Sequence, residues 1–260
     1  MHLRELLRDA ARSWRELGSG LGELFFEARC VLCDAPSGSA TPWLCAVHDL
    51  EEQRLLRPTC PLCALPAAES AAPCSICAEG SRPWTALVAA LAYGGAGREL
   101  LLQAKLGRRS ASLRPLAEEL GVELARHAWA RGARFVPVPL HAAKRRARGF
   151  NQAEVLAREL AERCGGRVVS LLRRVRATAP QGDPLTRDRQ ANVARAFSLR
   201  RFARVPASAV LVDDTCTSMA TLEACAQVLR RAGCRELRAA VVFRAGAPAA
   251  RVLVSDDAVF

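Results

Sequence analysis

Aromatic residues are scarce in this chain of 260 residues, which holds one Tyr, four Trp and eight Phe. Bases of a single strand stack on aromatic rings, so general single-strand binding by stacking is disfavoured, whereas phosphate tracking is not. Lysine is scarcer still: Lys105 and Lys144 are the only two among 38 basic residues, which face 26 acids for a net charge of +12. Arginine grips phosphate in a bidentate fork, so this balance favours anionic partners such as nucleotides or nucleic acid. An Arg- and Ala-rich composition also follows from a GC-rich genome. No stretch of about 18 uncharged apolar residues occurs. The opening MHLRELLRDAARSWRELG is charged throughout, so neither a membrane span nor a signal peptide is expected, and the expected localisation is cytoplasmic. Leu3, Leu7, Ala10, Trp14 and Leu17 recur there at helical spacing, which predicts a helix docked on the body or turned to a partner or membrane surface.

Cysteine is the residue in excess. Eleven cysteines in a chain of that expected compartment are not read as disulfides, because reducing conditions keep thiols free. Cys30-Val-Leu-Cys33, Cys45-Ala-Val-His48, Cys60-Pro-Leu-Cys63 and Cys74-Ser-Ile-Cys77 form a nearly even repeat of two-residue-spaced pairs. Each pair makes a knuckle offering two ligands, and two pairs close one tetrahedral zinc site, so two structural zincs are expected. Sequential pairing puts Cys30, Cys33, Cys45 and His48 on one ion and Cys60, Cys63, Cys74 and Cys77 on the other; an interleaved arrangement is the alternative. A segment this rich in Pro, Ala and Gly buries little core, so metal supplies most of its folding energy. Cys164, Cys216, Cys225 and Cys234 lack such spacing and read as core thiols.

From about residue 83 apolar runs alternate with helical stretches, which predicts a parallel sheet flanked by helices. TALVAALAY, RFVPVPL, SAVLVDD and ELRAAVVF read as strands. RELLLQAKLG, Leu113 to Ala130, NQAEVLARELAERC and ATLEACAQVLRRAG read as helices. Ligands of such sheets bind at the carboxyl ends of strands, where helix N-termini present free N–H groups. The strand expected to end on Asp213 and Asp214 is followed by Thr215, Thr217, Ser218 and Thr221. Hydroxyls and amides there suit a phosphate, and the acids suit ribose hydroxyls or a divalent cation; an Asp and Thr helix cap is the plainer alternative. After RFVPV come His141, Lys144, Arg145, Arg146 and Arg148, with Asn151 opening a helix: a second anion site, or a solvated charge run. RRVRATAPQGDPLTRDRQANVARAF suits a loop closing over a ligand.

The order of the Cys pairs, Tyr93 with Lys105-Leu-Gly107, PVPL with RGFNQA, RATAPQ and VLVDD with AT resembles the ComF family, competence-associated proteins similar to type I phosphoribosyltransferases. The resemblance covers residues 28 to about 244. It implies a type I phosphoribosyltransferase-like parallel sheet behind a small double zinc ribbon, in four parts: an N-terminal helical segment over 1–27, the ribbon over 28–82, the phosphoribosyltransferase-like domain over 83–245 and a tail over 246–260. It also implies a ligand of the 5-phosphoribosyl 1-diphosphate (PRPP) type with Mg²⁺, and a role in DNA uptake with single-stranded DNA or a competence-machinery protein as partner. By matching position, Asp213 and Asp214 would hold ribose hydroxyls, Thr217, Ser218 and Thr221 the 5-phosphate, and Lys105, Arg148 and Asn151 would lie on the diphosphate side. The activity implied is phosphoribosyl transfer, with a binding protein that has lost turnover as the alternative. Two positions depart from the family pattern: His48 replaces a cysteine, and Met219 stands where glycine lets the backbone approach phosphate.

Overall fold

The computed structural model describes residues 28–37, 42–68, 72–176 and 195–248. The helix expected within 1–27, most of the arginine-rich loop after Arg176 and the tail from 249 lie outside the described residues. The chain divides into two compact units, Met1–Asp49 and Leu50–Phe260.

In the first unit, Cys30 to Cys33 forms a tight turn in which the Asp34 N–H donates to the Cys30 carbonyl at 2.8 Å, and Cys45 leads into the 3-10 turn Ala46–His48. In the second unit the same turn recurs thirty residues on, the Ala64 N–H donating to the Cys60 carbonyl at 2.9 Å. Asp34 and Ala64, the residues after each CxxC, share a left-handed backbone, with φ of 63° and 55°. Cys74 then opens the helical turn Ser75–Ala78.

The remainder is α/β. In chain order its elements are β1 (Ala86–Ala92), α1 (Gly95–Leu106), α2 (Arg114–Ala125), β2 (Arg134–Pro137), α3 (Ala142–Arg148), α4 (Gln152–Arg163), β3 (Arg167–Val168), β4 (Leu172–Arg174), β5 (Phe197–Leu199), β6 (Ser208–Cys216), α5 (Ala220–Arg231) and β7 (Glu236–Arg244). Five strands form one sheet in the order β1-β7-β6-β2-β3, every pair parallel, while β4 and β5 make a separate antiparallel pair. The inner strands are apolar without alternation because helices cover both faces. Successive side chains still point to opposite faces. Ala209 and Leu211 of β6 with Leu237, Ala239 and Val241 of β7 join Leu222, Cys225 and Leu229 of α5 in one core.

Three expectations change in detail. The helix expected over Leu113 to Ala130 stops at Ala125 and resumes as the 3-10 turn Ala128–Ala130. His127 stacks on Trp129 with ring centroids 5.1 Å apart, a contact that residues two apart cannot make within an α-helix. The basic run after β2 is itself helical: His141 caps α3 by accepting from the Ala143 N–H at 3.3 Å, and Gly149 ends it with φ of 84°. The acid-bearing strand does not end at Asp214 but continues to Cys216, because β7 runs on beside it with Thr215 opposite Phe243 and Cys216 opposite Arg244.

Candidate functional site

Each cysteine group closes on itself in sequence order. Cys30, Cys33, Cys45 and His48 form one group and Cys60, Cys63, Cys74 and Cys77 the other, with ligand atoms in each within 4.8 Å of one another, so both can hold a metal ion. A tetrahedron of thiolates at about 2.3 Å from zinc sets neighbouring sulfurs about 3.8 Å apart. Cys33 and Cys45 sulfurs lie 3.7 Å apart and those of Cys63 and Cys74 3.8 Å. His48 turns Nδ1 inward, 3.4 Å from Cys30 Sγ and 3.3 Å from Cys45 Sγ, as the shorter zinc–nitrogen bond requires. Burial raises the Cys30 thiol, but backbone N–H groups of Cys45, Leu32 and Cys33 outweigh it and bring it down to about 6. Burial likewise opposes the N–H groups of Cys74, Leu62 and Cys63 at Cys60, which ends at about 7. Amides aimed at sulfur favour thiolate, the form that binds metal.

The second group is built into the α/β body. Trp84 donates from Nε1 to the Leu62 carbonyl at 3.0 Å, and the Leu87 N–H of β1 donates to the Pro61 carbonyl at 2.7 Å. Arg244, 5% exposed at the end of β7, donates from Nε to the Cys63 carbonyl at 2.6 Å. Its Nη1 reaches the carbonyls of Cys216, Thr217 and Ala245 at 3.0, 2.8 and 2.9 Å. One buried guanidinium thus joins the metal knuckle to the loop after β6. Arg82 makes a second tie, pairing with Glu223 in the first turn of α5 and hydrogen-bonding Cys77. Nothing in the sequence marks Arg244 or Arg82, which read as a strand end and a linker charge.

That loop carries the hydroxyls singled out above. Thr217 and Ser218 are exposed, and Thr221 is half-buried in the first turn of α5. Met219 caps α5 with φ of 64° and ψ of −11°, the left-handed region that favours glycine. Its side chain packs both on the main core and on the group of Cys60, Cys63 and Cys77. The chain therefore keeps a glycine-type backbone at 219 and spends the side chain on the metal knuckle.

Asp213 and Asp214, adjacent on a strand, lie on opposite faces. Asp214 pairs with Lys105 of α1, Oδ2 to Nζ 3.1 Å. Asp213 accepts from the Asp214 N–H at 2.9 Å. Burial, then the Asp214 charge, pushes its carboxyl up to about 8, against the lowering effects of that N–H, Lys105 and Arg174. Cations crowd the same edge. Lys144 is lowered by burial and then by Arg174, Arg148 and Lys105. Arg174, from β4, is itself lowered by burial, while Cys225 and then Asp213 pull it back. Lys105, Lys144 and Arg174 thus bring positive charge around a carboxyl that burial keeps from ionising.

The other residues expected here divide. Arg148 donates to Gln152 Oε1 at 3.1 Å and contributes to the field at Lys144. Asn151, 6% exposed, donates from Nδ2 to the Val138 carbonyl at 2.9 Å, tying the start of α4 to the end of β2. No helix of the described residues is long and apolar enough to cross a membrane.

Fold and sites together define a parallel α/β protein with two cysteine-rich groups able to hold a metal ion, one of them wired into the sheet edge. No family model matches the chain. It is 34% identical over 212 residues to the DNA utilization protein YhgH of Salmonella typhimurium, spanning 78% of this chain and 91% of that one. With the protein of the same name from Escherichia coli the identity is 32% over the same shares. Competence protein F of Haemophilus influenzae is 32% identical over 111 residues, 40% of this chain and 47% of its own. The chain belongs to the ComF family. A solved structure described as the allosteric regulatory enzyme of purine biosynthesis matches 48% of this chain and 25% of its own at 20% identity, with a TM-score of 0.33, too slight a likeness to argue from.

Proposed function

We propose that the carboxyl edge of β6 binds PRPP or a related phosphoribosyl ligand with Mg²⁺, and that two structural zincs hold the cysteine groups. The observation that carries the reading is the acid pair set among Lys105, Lys144, Arg148 and Arg174 beside a hydroxyl-lined helix start. In it Asp213 and Asp214 take ribose hydroxyls, Thr217, Ser218 and Thr221 the 5-phosphate, and the cations the diphosphate. The part from about residue 83 onward is the phosphoribosyltransferase-like domain. Such a site works by positioning and charge neutralisation, with no covalent intermediate required. Calorimetric titration with PRPP and Mg²⁺ tests it: heat with wild type and none with Asp213→Ala is expected, and no heat with wild type removes the reading. Metal analysis is expected to find two zincs per chain, and a value well below two breaks the ribbon assignment.

The conformation of Met219 bears on turnover. Because its backbone is already glycine-like and its side chain turns to the knuckle, Met219→Gly is expected to change PRPP affinity by less than about threefold, below 1 kcal/mol. It should instead hasten zinc loss to a chelator. A tenfold gain in affinity would mean that the methionine obstructs the phosphate.

The names of the relatives favour a second reading, a DNA-binding role in which the exposed arginines of α3 and the metal knuckles track phosphates. Such binding must weaken steeply with salt. DNA binding insensitive to salt contradicts it.

A further inference from the structure

We propose that Arg244 is a positioning residue through which the metal of the Cys60 group and the phosphoribosyl ligand bind cooperatively, each tightening the hold on the other. The inference rests on the phosphoribosyl reading of the β6 edge and on zinc in that cysteine group. Three ties join the same two places. Arg244 donates from Nε to the carbonyl of Cys63, one of the four residues able to hold the ion, and from Nη1 to the carbonyls of Cys216 and Thr217 in the loop. Met219, two residues on, packs its side chain against Cys60, Cys63 and Cys77. Arg82 hydrogen-bonds Cys77 and pairs with Glu223 in the first turn of α5, 141 positions along the chain. The ties therefore reach both sides of Thr217 and Ser218. A left-handed backbone at a residue other than glycine persists only where its surroundings over-determine it. At Met219, with φ of 64°, those surroundings are the cysteine group and the carbonyls that Arg244 holds just before it. A metal that fixes the group thus fixes the turn, and a ligand that requires the turn in this shape favours the metal-bound form. The two effects are equal, because coupling between two binding equilibria is reciprocal. Arginine suits the bridge because its rigid fork serves carbonyls on two segments at once.

The test uses the full chain with zinc bound, PRPP with Mg²⁺ as ligand, calorimetry for its affinity and a zinc-selective chromogenic chelator to time metal release. In wild type, saturating PRPP should slow the release of one zinc by about tenfold. Arg244→Met should keep its zinc, bind PRPP about tenfold more weakly and lose that slowing. Leu229→Ala, a core truncation in the last turn of α5, should unfold more readily yet keep both the affinity and the slowing. Absence of PRPP heat from wild type removes the phosphoribosyl reading and this inference with it. PRPP binding that leaves zinc release unchanged in wild type, full affinity in Arg244→Met, or equal weakening in Leu229→Ala overturns the coupling while the site itself stands. The wild-type release measurement needs no variant, so it decides the matter even where Arg244→Met fails to fold.

Discussion

Asp213→Asn will bind PRPP about 100-fold more weakly than wild type at pH 7 and yet unfold at a higher temperature. The first effect follows from losing a charged acceptor for ribose hydroxyls, worth about 1.5–3 kcal/mol. The second follows from linkage. Burial and the Asp214 charge raise the folded-state value of Asp213 to about 8 from an ordinary 3.8. A group raised on folding contributes stability that is complete below its unfolded value and is lost as pH climbs through the folded one. Wild type therefore surrenders stability between about pH 4 and 8 through this carboxyl, and the amide does not. Melting curves at pH 5 and pH 8 should show the gap between variant and wild type widening with pH. A constant gap, or a variant less stable at pH 8, contradicts the electrostatic description.

Arg244→Met will cost about 3 kcal/mol of stability and loosen the loop after β6 without releasing the metal. The guanidinium is buried and serves the carbonyls of Cys63, Thr217 and Ala245 at 2.6, 2.8 and 2.9 Å, so methionine leaves those acceptors in an apolar layer. Each loss costs on the order of 1 kcal/mol. A structural zinc contributes about 10–16 kcal/mol, so the second group should keep its ion while residues 216–219 exchange amide hydrogens faster. Chelation of that ion should reproduce the faster exchange in wild type. If exchange in the loop ignores both treatments, the knuckle and the loop are mechanically separate.

Much of this was legible in the chain because its signals are local. CxxC spacing names its own ligands, and the 3.3 Å to 3.8 Å packing of donor atoms needs only the sequential pairing that the even repeat suggests. Apolar runs alternating with helical patterns pointed to the parallel sheet, but not to the two further residues by which the strand of Asp213 and Asp214 follows β7 to Cys216. What escaped was long-range. The α3 helix looked like a charged loop because seven residues carry too little periodicity to read. Arg244 meets Cys63 across 181 positions, a partnership no local pattern encodes. Arg174 enters the cation cluster only because β4 pairs with β5 and brings it toward Asp213. Met219 posed as a lost glycine until its φ and its packing on the cysteine group gave the residue a structural employment.

The central claim is that a phosphoribosyl ligand meets Asp213 as a carboxylate at the β6 edge. Titration calorimetry of the metal-loaded chain with PRPP and Mg²⁺ at pH 7, repeated in two buffers of different ionisation enthalpy, tests it most directly. The account predicts binding heat in both buffers and a difference between them that corresponds to release of close to one proton, absent in Asp213→Asn. Absence of heat, or binding without proton release, would contradict it.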